Sequence, residues 1–186
     1  MGAGLLWARA GLRAGSGRVT VAHPAGVSVE REGLLDEVMI LEAAASERGG
    51  FSRGAENDLV EWAASRDVVA LGPGLGREPE TGDLVERLLR AIDRPIVLDA
   101  DGLYAIADDL TVLCDRAAKS APAPTILTPH PGEAARLLGA EAVATTADRL
   151  AAAPRPAAPS PPAGVLKGAG PRVAEPHARA RALPSG

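Results

Sequence analysis

Four stretches of the chain place chemically useful residues directly after short apolar runs. Asp67–Gly76, DVVALGPGLG, passes from four apolar residues into a loop of three glycines and a proline. Backbone N–H groups of such a loop can cradle a phosphate, because glycine takes positive φ and lets main chain approach a ligand closely. A tight turn asks for the same residues, and the loop is neither a Walker loop nor a GxGxxG fingerprint. Ile96–Leu103, IVLDADGL, ends its apolar triplet in Asp99 and Asp101. Two carboxylates there can hold Mg²⁺, with water or phosphate completing the shell; a helix N-cap uses aspartate equally well. Thr125–Leu138 carries His130 between Pro129 and Pro131. An imidazole on so stiff a loop can move a proton near neutrality or bind an anion, or simply stand in solvent. Glu133 suits a base or a ligand, and equally the first turn of a helix, where negative charge meets the dipole. Lys167 follows Val165-Leu166 and precedes Gly168-Ala169-Gly170. That setting fits nucleotide phosphate, and also a solvated lysine at a strand end. Cys114 has no histidine or cysteine pattern near it and reads as a small hydrophobe. His23 and His177 have no supporting context.

Positioning these residues requires alternating strands and helices. Leu5–Ala14 reads as a helix stopped by Gly15-Ser16-Gly17, and Arg18–Ala22 alternates as a strand does. Val38–Leu41 is a second strand and Glu56–Ala64 a short helix. Val68–Leu71 leads into the glycine loop. Thr81–Ile92 carries Leu84, Val85, Leu88, Leu89 and Ile92 at helical spacing, with Thr81 as N-cap. Ile96–Leu98 is the next strand, Leu103–Leu110 a helix, Thr125–Leu127 a strand and Glu133–Leu138 a helix. This alternation predicts parallel βαβ units. Residues 153–164, APRPAAPSPPAG, hold five prolines and read as an extended, irregular insert. Val165-Leu166 and Arg172–Ala174 are further strands, and the polar remainder reads as a frayed tail.

The 186 residues suffice for one domain with a core. Aromatics are only 2%, so alanine, leucine and valine must fill it. A net charge of −4 without a basic stretch argues against a nucleic-acid or membrane-surface protein. No apolar run approaches the ~18 residues a spanning helix needs. A single cysteine excludes an internal disulfide framework and fits the reducing cytoplasm. The arginines near the start lie within or after the apolar part, the reverse of a signal peptide.

Taken together, LRAGSGRVTVA at Leu12–Ala22, ALGPGLG at Ala70–Gly76, PIVLDADGL at Pro95–Leu103, TILTPHPGEAARLLG at Thr125–Gly139 and VLKGAG at Val165–Gly170, with Gly2-Ala3 at the start, resemble the ADP- or ATP-dependent NAD(P)H-hydrate dehydratases of the ribokinase-like superfamily. The order and spacing match as well. The resemblance implies a ribokinase-like α/β fold, mostly parallel sheet flanked by helices and incomplete here, with residues 1–186 forming a single partial domain. It implies removal of water from the S epimer of hydrated NADH or NADPH, driven by ADP (or ATP) with Mg²⁺. The ring hydroxyl is phosphorylated and phosphate then leaves in its place. By the same resemblance Ala3, Gly74 and His130 contact the hydrated cofactor. Lys167, Gly168, Ala169, Gly170 and Pro171 form the adenine-nucleotide phosphate loop, and the protein is a homo-oligomer, a homotetramer in the family.

The chain departs from the family in four places. It opens on a helix that a strand and glycine loop precede in the family. The family's Gly-Ser-Gly-Asp segment, which carries the catalytic base, is expected beyond Gly186. The expectation is therefore a chain truncated at both ends, with low or no activity and no catalytic residue of its own. Tyr104 stands where asparagine is usual, and the proline-rich stretch occupies the place of a helix and the start of a strand. Two other readings remain at this point, a small-molecule kinase of the same fold and a non-catalytic nucleotide-binding remnant.

Overall fold

The structure, a computed structural model, describes residues 2–27, 37–137, 163–168, 172–174 and 181–182. The first helix, α1, spans Gly2–Arg13 and buries Ala8. Gly15, at φ 97°, ends it: Gly15 N–H donates to Leu12 O at 3.0 Å and Ser16 N–H to Gly11 O at 3.1 Å. That Schellman pair satisfies two terminal carbonyls and needs the positive φ that glycine supplies. The chain turns into β1 (Val19–Pro24), which pairs in parallel with β2 (Val38–Ala43) as a two-stranded sheet. A short 3-10 turn at Arg53–Ala55 leads into α2 (Glu56–Ala64).

The second sheet starts at β3 (Val69–Leu71). The helix α3 (Pro79–Ala91) crosses to β4 (Ile96–Leu98), and α4 (Ala100–Ala105) and α5 (Thr111–Ala117) lead to β5 (Thr125–Leu127). After α6 (Pro131–Leu137) come β6 (Ala163–Leu166), β7 (Arg172–Ala174) and β8 (Arg181–Ala182). The sheet order is β3-β4-β5-β6-β7-β8. The first four strands are parallel and the last two are antiparallel. The expected parallel α/β layout is therefore present. The ribbons β1–β2 and β3–β8 are separate sheets. A mostly apolar cavity of about 390 Å³, walled by α1, β1, β3 and α3, lies between them.

The core is aliphatic, as the shortage of aromatics requires. Leu84, Val85, Leu88, Leu89 and Ile92 of the α3 stripe are all under 4% exposed and join Ile96, Leu98, Leu103 and Ile106 in one cluster. Burying each leucine contributes about 2 kcal/mol, more than any helix propensity, so the stripe decides how α3 sits.

Several expectations are corrected. Thr81 is not the N-cap of α3: the helix starts at Pro79, and Thr81 is buried in its first turn. Proline's fixed φ and missing N–H favour the first helical position, and that signal overrides the threonine. The helix after Asp101 ends at Ala105 rather than Leu110, and α5 follows it unforeseen. Asp109 accepts the Thr111 N–H at 2.8 Å, which starts α5. Ala163 and Gly164, assigned to the proline-rich insert, belong to β6 because they pair with β5. Arg181-Ala182, assigned to the frayed tail, pair with β7. Leu138, residues 153–162 and Gly186 lie outside the described residues.

Arg116 of α5 is 2% exposed. Its Nε donates to Thr125 Oγ1 at 2.9 Å, Nη1 to Leu89 O at 3.1 Å and to Ile92 O, and Nη2 to Arg94 O. One planar fork thus ties the end of α3, the turn into β4, and β5 together. Burial pushes the guanidinium below its ordinary pKa, with Asp93 opposing, and the satisfied donors are what allow the charge inside.

Candidate functional site

The carboxyl ends of the parallel strands β3, β4, β5 and β6 lie side by side, and of the site candidates among the described residues all but Ala3 sit at that edge. Gly72 leaves β3 with φ 134°. Its backbone is pressed so close to the next strand that an added Cβ would lie 1.8 Å from Asp99 O. Gly102 faces it from α4, where a Cβ would lie 3.0 Å from Gly72 Cα and 2.7 Å from Leu98 Cδ1. The two glycines let two backbones touch. Gly74, at φ 79°, stands exposed at the loop tip with open space around it.

Asp99 is the N-cap of α4: its Oδ1 accepts the Ala100 N–H at 2.9 Å. The same oxygen accepts from Lys167 Nζ at 2.5 Å. Lys167 is placed from its own backbone as well, since its N–H donates to Pro129 O at 2.9 Å. Asp101 clamps the glycine loop. Oδ2 accepts the Gly76 N–H at 3.2 Å, and Oδ1 accepts from Arg77 Nε at 3.0 Å. The N-cap role left open for the aspartates falls to Asp99, while Asp101 takes a role the sequence did not suggest, holding the glycine loop. Ala100, between them, has φ 46°, a left-handed conformation costing about 1–2 kcal/mol for a residue with a Cβ.

His130 caps α6. Its Nδ1 accepts from the Gly132 N–H at 3.0 Å and the Glu133 N–H at 3.3 Å, while Glu133 Oε2 accepts the His130 N–H at 2.8 Å. This is a capping box with histidine in the place of serine. It commits Nδ1 as an acceptor, so the neutral ring carries its proton on Nε2, which lies 3.3 Å from Glu133 Oε1. The side chain is 56% exposed.

Ala3 is the exception. It is exposed in the first turn of α1 and is not among the α1 residues, Gly4, Trp7, Ala8 and Gly11, that share a cavity wall with Gly72 and Pro73. Gly168 follows Lys167 at φ 155°; Ala169, Gly170 and Pro171 lie outside the described residues. So does Gly186, past which the resemblance puts the catalytic aspartate, and that expectation therefore meets no geometry here. Cys114 is a partly buried helix residue, as read. His23 is 2% exposed, with Nδ1 donating to Pro24 O at 2.9 Å. Its burial comes from the β1–β2 pairing, which residue type alone does not signal.

Ligands of open α/β sheets bind outside the carboxyl ends of the strands, and four such ends meet here. That defines the class: an α/β protein with a candidate site in the crevice above a parallel sheet. The sequence pattern of the NAD(P)H-hydrate dehydratase family matches residues 1–186. A bifunctional NAD(P)H-hydrate repair enzyme of Moorella thermoacetica is 42% identical over 185 residues, covering 100% of this chain and 34% of the relative. A ribokinase-like superfamily protein of Enterococcus faecalis superposes with a TM-score of 0.65 at 18% identity, over 94% of this chain and 55% of that one. An ADP/ATP-dependent NAD(P)H-hydrate dehydratase of Bacillus subtilis, co-crystallised with ATP and Mg²⁺, superposes with a TM-score of 0.64 at 24% identity, over 100% of this chain and 61% of that one. The chain belongs to the NAD(P)H-hydrate dehydratase family, with a ribokinase-like fold. It spans about a third of the length of the Moorella thermoacetica relative. Among the described residues, no helix is long and apolar enough to cross a membrane.

Proposed function

We propose that the chain belongs to an enzyme that dehydrates the S epimer of NAD(P)H hydrate, with ADP as phosphoryl donor. The observation carrying this reading is the family match over residues 1–186 joined to the placement of Gly74, His130 and Lys167 just past β3, β5 and β6 at one edge of the sheet. The chemistry needs the ring hydroxyl converted into a better leaving group. Its oxygen takes the terminal phosphoryl group of ADP, releasing AMP; phosphate then departs as the ring carbon–oxygen bond breaks and the neighbouring ring carbon loses a proton, restoring the dihydropyridine.

The chain's own residues supply binding and orientation. Gly74, unobstructed at the loop tip, offers backbone N–H to the hydrated cofactor. His130 offers Nε2–H, which would turn from Glu133 Oε1, 3.3 Å away, to the cofactor, its Nδ1 being occupied by the cap. Lys167 brings positive charge to the nucleotide phosphates, and Gly168–Pro171 continue that loop. For Ala3 only the family resemblance speaks: it would meet the cofactor from the α1 side, away from the strand ends. Mg²⁺ neutralises phosphate charge when bound. Among the described residues no three His, Cys, Asp or Glu side chains gather as a cage, and Asp99 and Asp101 each answer a cation already. The ion therefore fits as a phosphate-held Mg²⁺ with few protein ligands. Assembly as a homotetramer would give the exposed Leu6 and Met39 a partner surface, which light scattering measures.

The test incubates the chain with hydrated NADH, ADP and Mg²⁺ and follows recovery of the dihydropyridine absorbance. Recovery that Lys167→Met reduces at least tenfold in ADP affinity, with an unchanged circular dichroism spectrum, supports the reading. No recovery from a folded chain that still binds ADP, alongside recovery by a version that carries the family's Gly-Ser-Gly-Asp segment, supports the nucleotide-binding remnant instead.

A further inference from the structure

Arg77, Tyr104 and Arg136 form a cluster on the wall between the glycine loop, α4 and α6. The guanidinium carbons of Arg77 and Arg136 lie 4.6 and 4.0 Å from the centroid of the Tyr104 ring. Those distances put the two cations no more than about 9 Å apart, close enough for one phosphate at the edge of the ring to meet both. The two arginines come from distant parts of the sequence, and a tyrosine holds both.

Their charges are only partly answered. Arg77 spends Nε on Asp101 and keeps both terminal nitrogens without a hydrogen bond among the described residues. Arg136 has Asp108 at 3.9 Å, but that carboxylate is 92% exposed, and so open a pair is weak. Like charges held this close repel. The ring's π electrons offset part of that cost, and a dianionic ligand offsets more. The side chains of Arg77 and Arg136 are about half exposed, so such a ligand can reach them.

We propose that Arg77 and Arg136, spaced by Tyr104, form a binding site for a phosphate group of a dinucleotide. The proposal rests on Gly74 being the substrate wall, because Arg77 lies three residues beyond it along the same loop. Two phosphates of a hydrated cofactor share the chemistry, the 2′-phosphate of the NADPH form and the pyrophosphate of both forms. The loop itself favours the first: Asp101 pulls Arg77 away from the loop tip and toward α4, leaving the pyrophosphate to the backbone N–H groups.

Titration calorimetry on the chain with NADP⁺, NAD⁺ and adenosine 2′-phosphate tests this. Arg77→Gln and Arg136→Gln are expected to weaken NADP⁺ and adenosine 2′-phosphate about tenfold each, leaving NAD⁺ unchanged. Raising the salt should erase the difference between NADP⁺ and NAD⁺. Equal loss for NADP⁺ and NAD⁺ moves the bound group to the pyrophosphate and keeps the site. Arginine-dependent binding of adenosine 2′-phosphate by a chain that binds neither dinucleotide keeps the site and sinks the substrate reading instead. Unchanged binding in variants with a native circular dichroism spectrum, or no phosphate ester bound at all, overturns the proposal and leaves the cluster as a staple between helices. Tyr104→Leu, which keeps both charges and removes their spacer, should weaken NADP⁺ less than either arginine variant.

Discussion

Three glycine-to-alanine changes separate two physical costs that the crevice combines. Gly74 has φ 79° and nothing within 4 Å of an added Cβ, so Gly74→Ala carries only the backbone cost, about 1–2 kcal/mol. Gly102 is helical and its φ is ordinary, but its Cβ would lie 2.7 Å from Leu98 Cδ1 and 3.0 Å from Gly72 Cα. Gly102→Ala therefore carries only crowding, about 1–3 kcal/mol. Gly72 carries both: φ 134° and a Cβ 1.8 Å from Asp99 O, which is backbone and cannot swing away. Relief requires the loop to leave β4, and the Asp99 N–H to Leu71 O hydrogen bond at 3.1 Å goes with it, at about 1 kcal/mol.

Summing these, Gly72→Ala is expected to cost about 4 kcal/mol or more, a large part of the 5–15 kcal/mol that holds an ordinary domain. Denaturant unfolding followed by circular dichroism measures all three variants on one scale. The expected order is Gly72 well above Gly102, and Gly102 at or above Gly74. If Gly72→Ala costs no more than Gly74→Ala, the close approach of the two backbones is not a feature of the molecule in solution, and the crevice built on it falls.

Further outcomes follow from the same contacts. His130→Ala should lose about 1 kcal/mol of stability with the α6 cap. His130→Asn should retain it, asparagine being a good N-cap, while both lose affinity for hydrated NADH; asparagine restoring affinity too would make the histidine purely structural. Arg116→Met leaves three carbonyls and a hydroxyl without their buried donor and should cost about 3 kcal/mol in thermal unfolding, with little change in ADP binding. Asp93 is held below its ordinary pKa chiefly by the Lys119 hydrogen bond, and Asp109 chiefly by the Thr111 backbone N–H. Below pH ~3.8 the unfolded chain binds protons that the folded one still refuses, so this stability is present above that pH and is lost as pH falls through the lowered values. An Asp93→Asn, Asp109→Asn variant should show a flatter acid limb in stability against pH.

How much of this was legible in the sequence depends on how local each cause is. The strands at Val69, Ile96 and Thr125 were readable because a short apolar run bounded by Gly, Asp or Pro has few other uses. The α3 stripe was readable because five aliphatic residues repeat at helical spacing. The α5 helix was not, since its key residue is an arginine. Arg116 looks solvated until the carbonyls of Leu89, Ile92 and Arg94, 22 to 27 residues away, are brought to it. The start of α3 failed for another reason: Thr81 and Pro79 are rival signals two residues apart, and proline's restriction is the stronger.

The candidate site shows the same division in its charges. Residue type marked Asp99 and Asp101 as ligands and Lys167 and His130 as separate candidates, each weighed alone. In the fold they are pairs: Lys167 with Asp99 across 68 residues, Arg77 with Asp101 across 24, and His130 with Glu133 within one turn. Asp99 and Asp101 are also fixed by backbone N–H groups of Ala100 and Gly76, so they stay while the cations, on long side chains, can move. An arriving phosphate therefore competes with a carboxylate for Lys167. That contest makes phosphate binding cost more than an unpaired lysine would suggest, and it keeps the cation aimed at the crevice. Asp99→Asn preserves the cap and removes the competition. It should raise ADP affinity several-fold if Lys167 serves the nucleotide; a drop in affinity would mean that the aspartate itself takes part in binding.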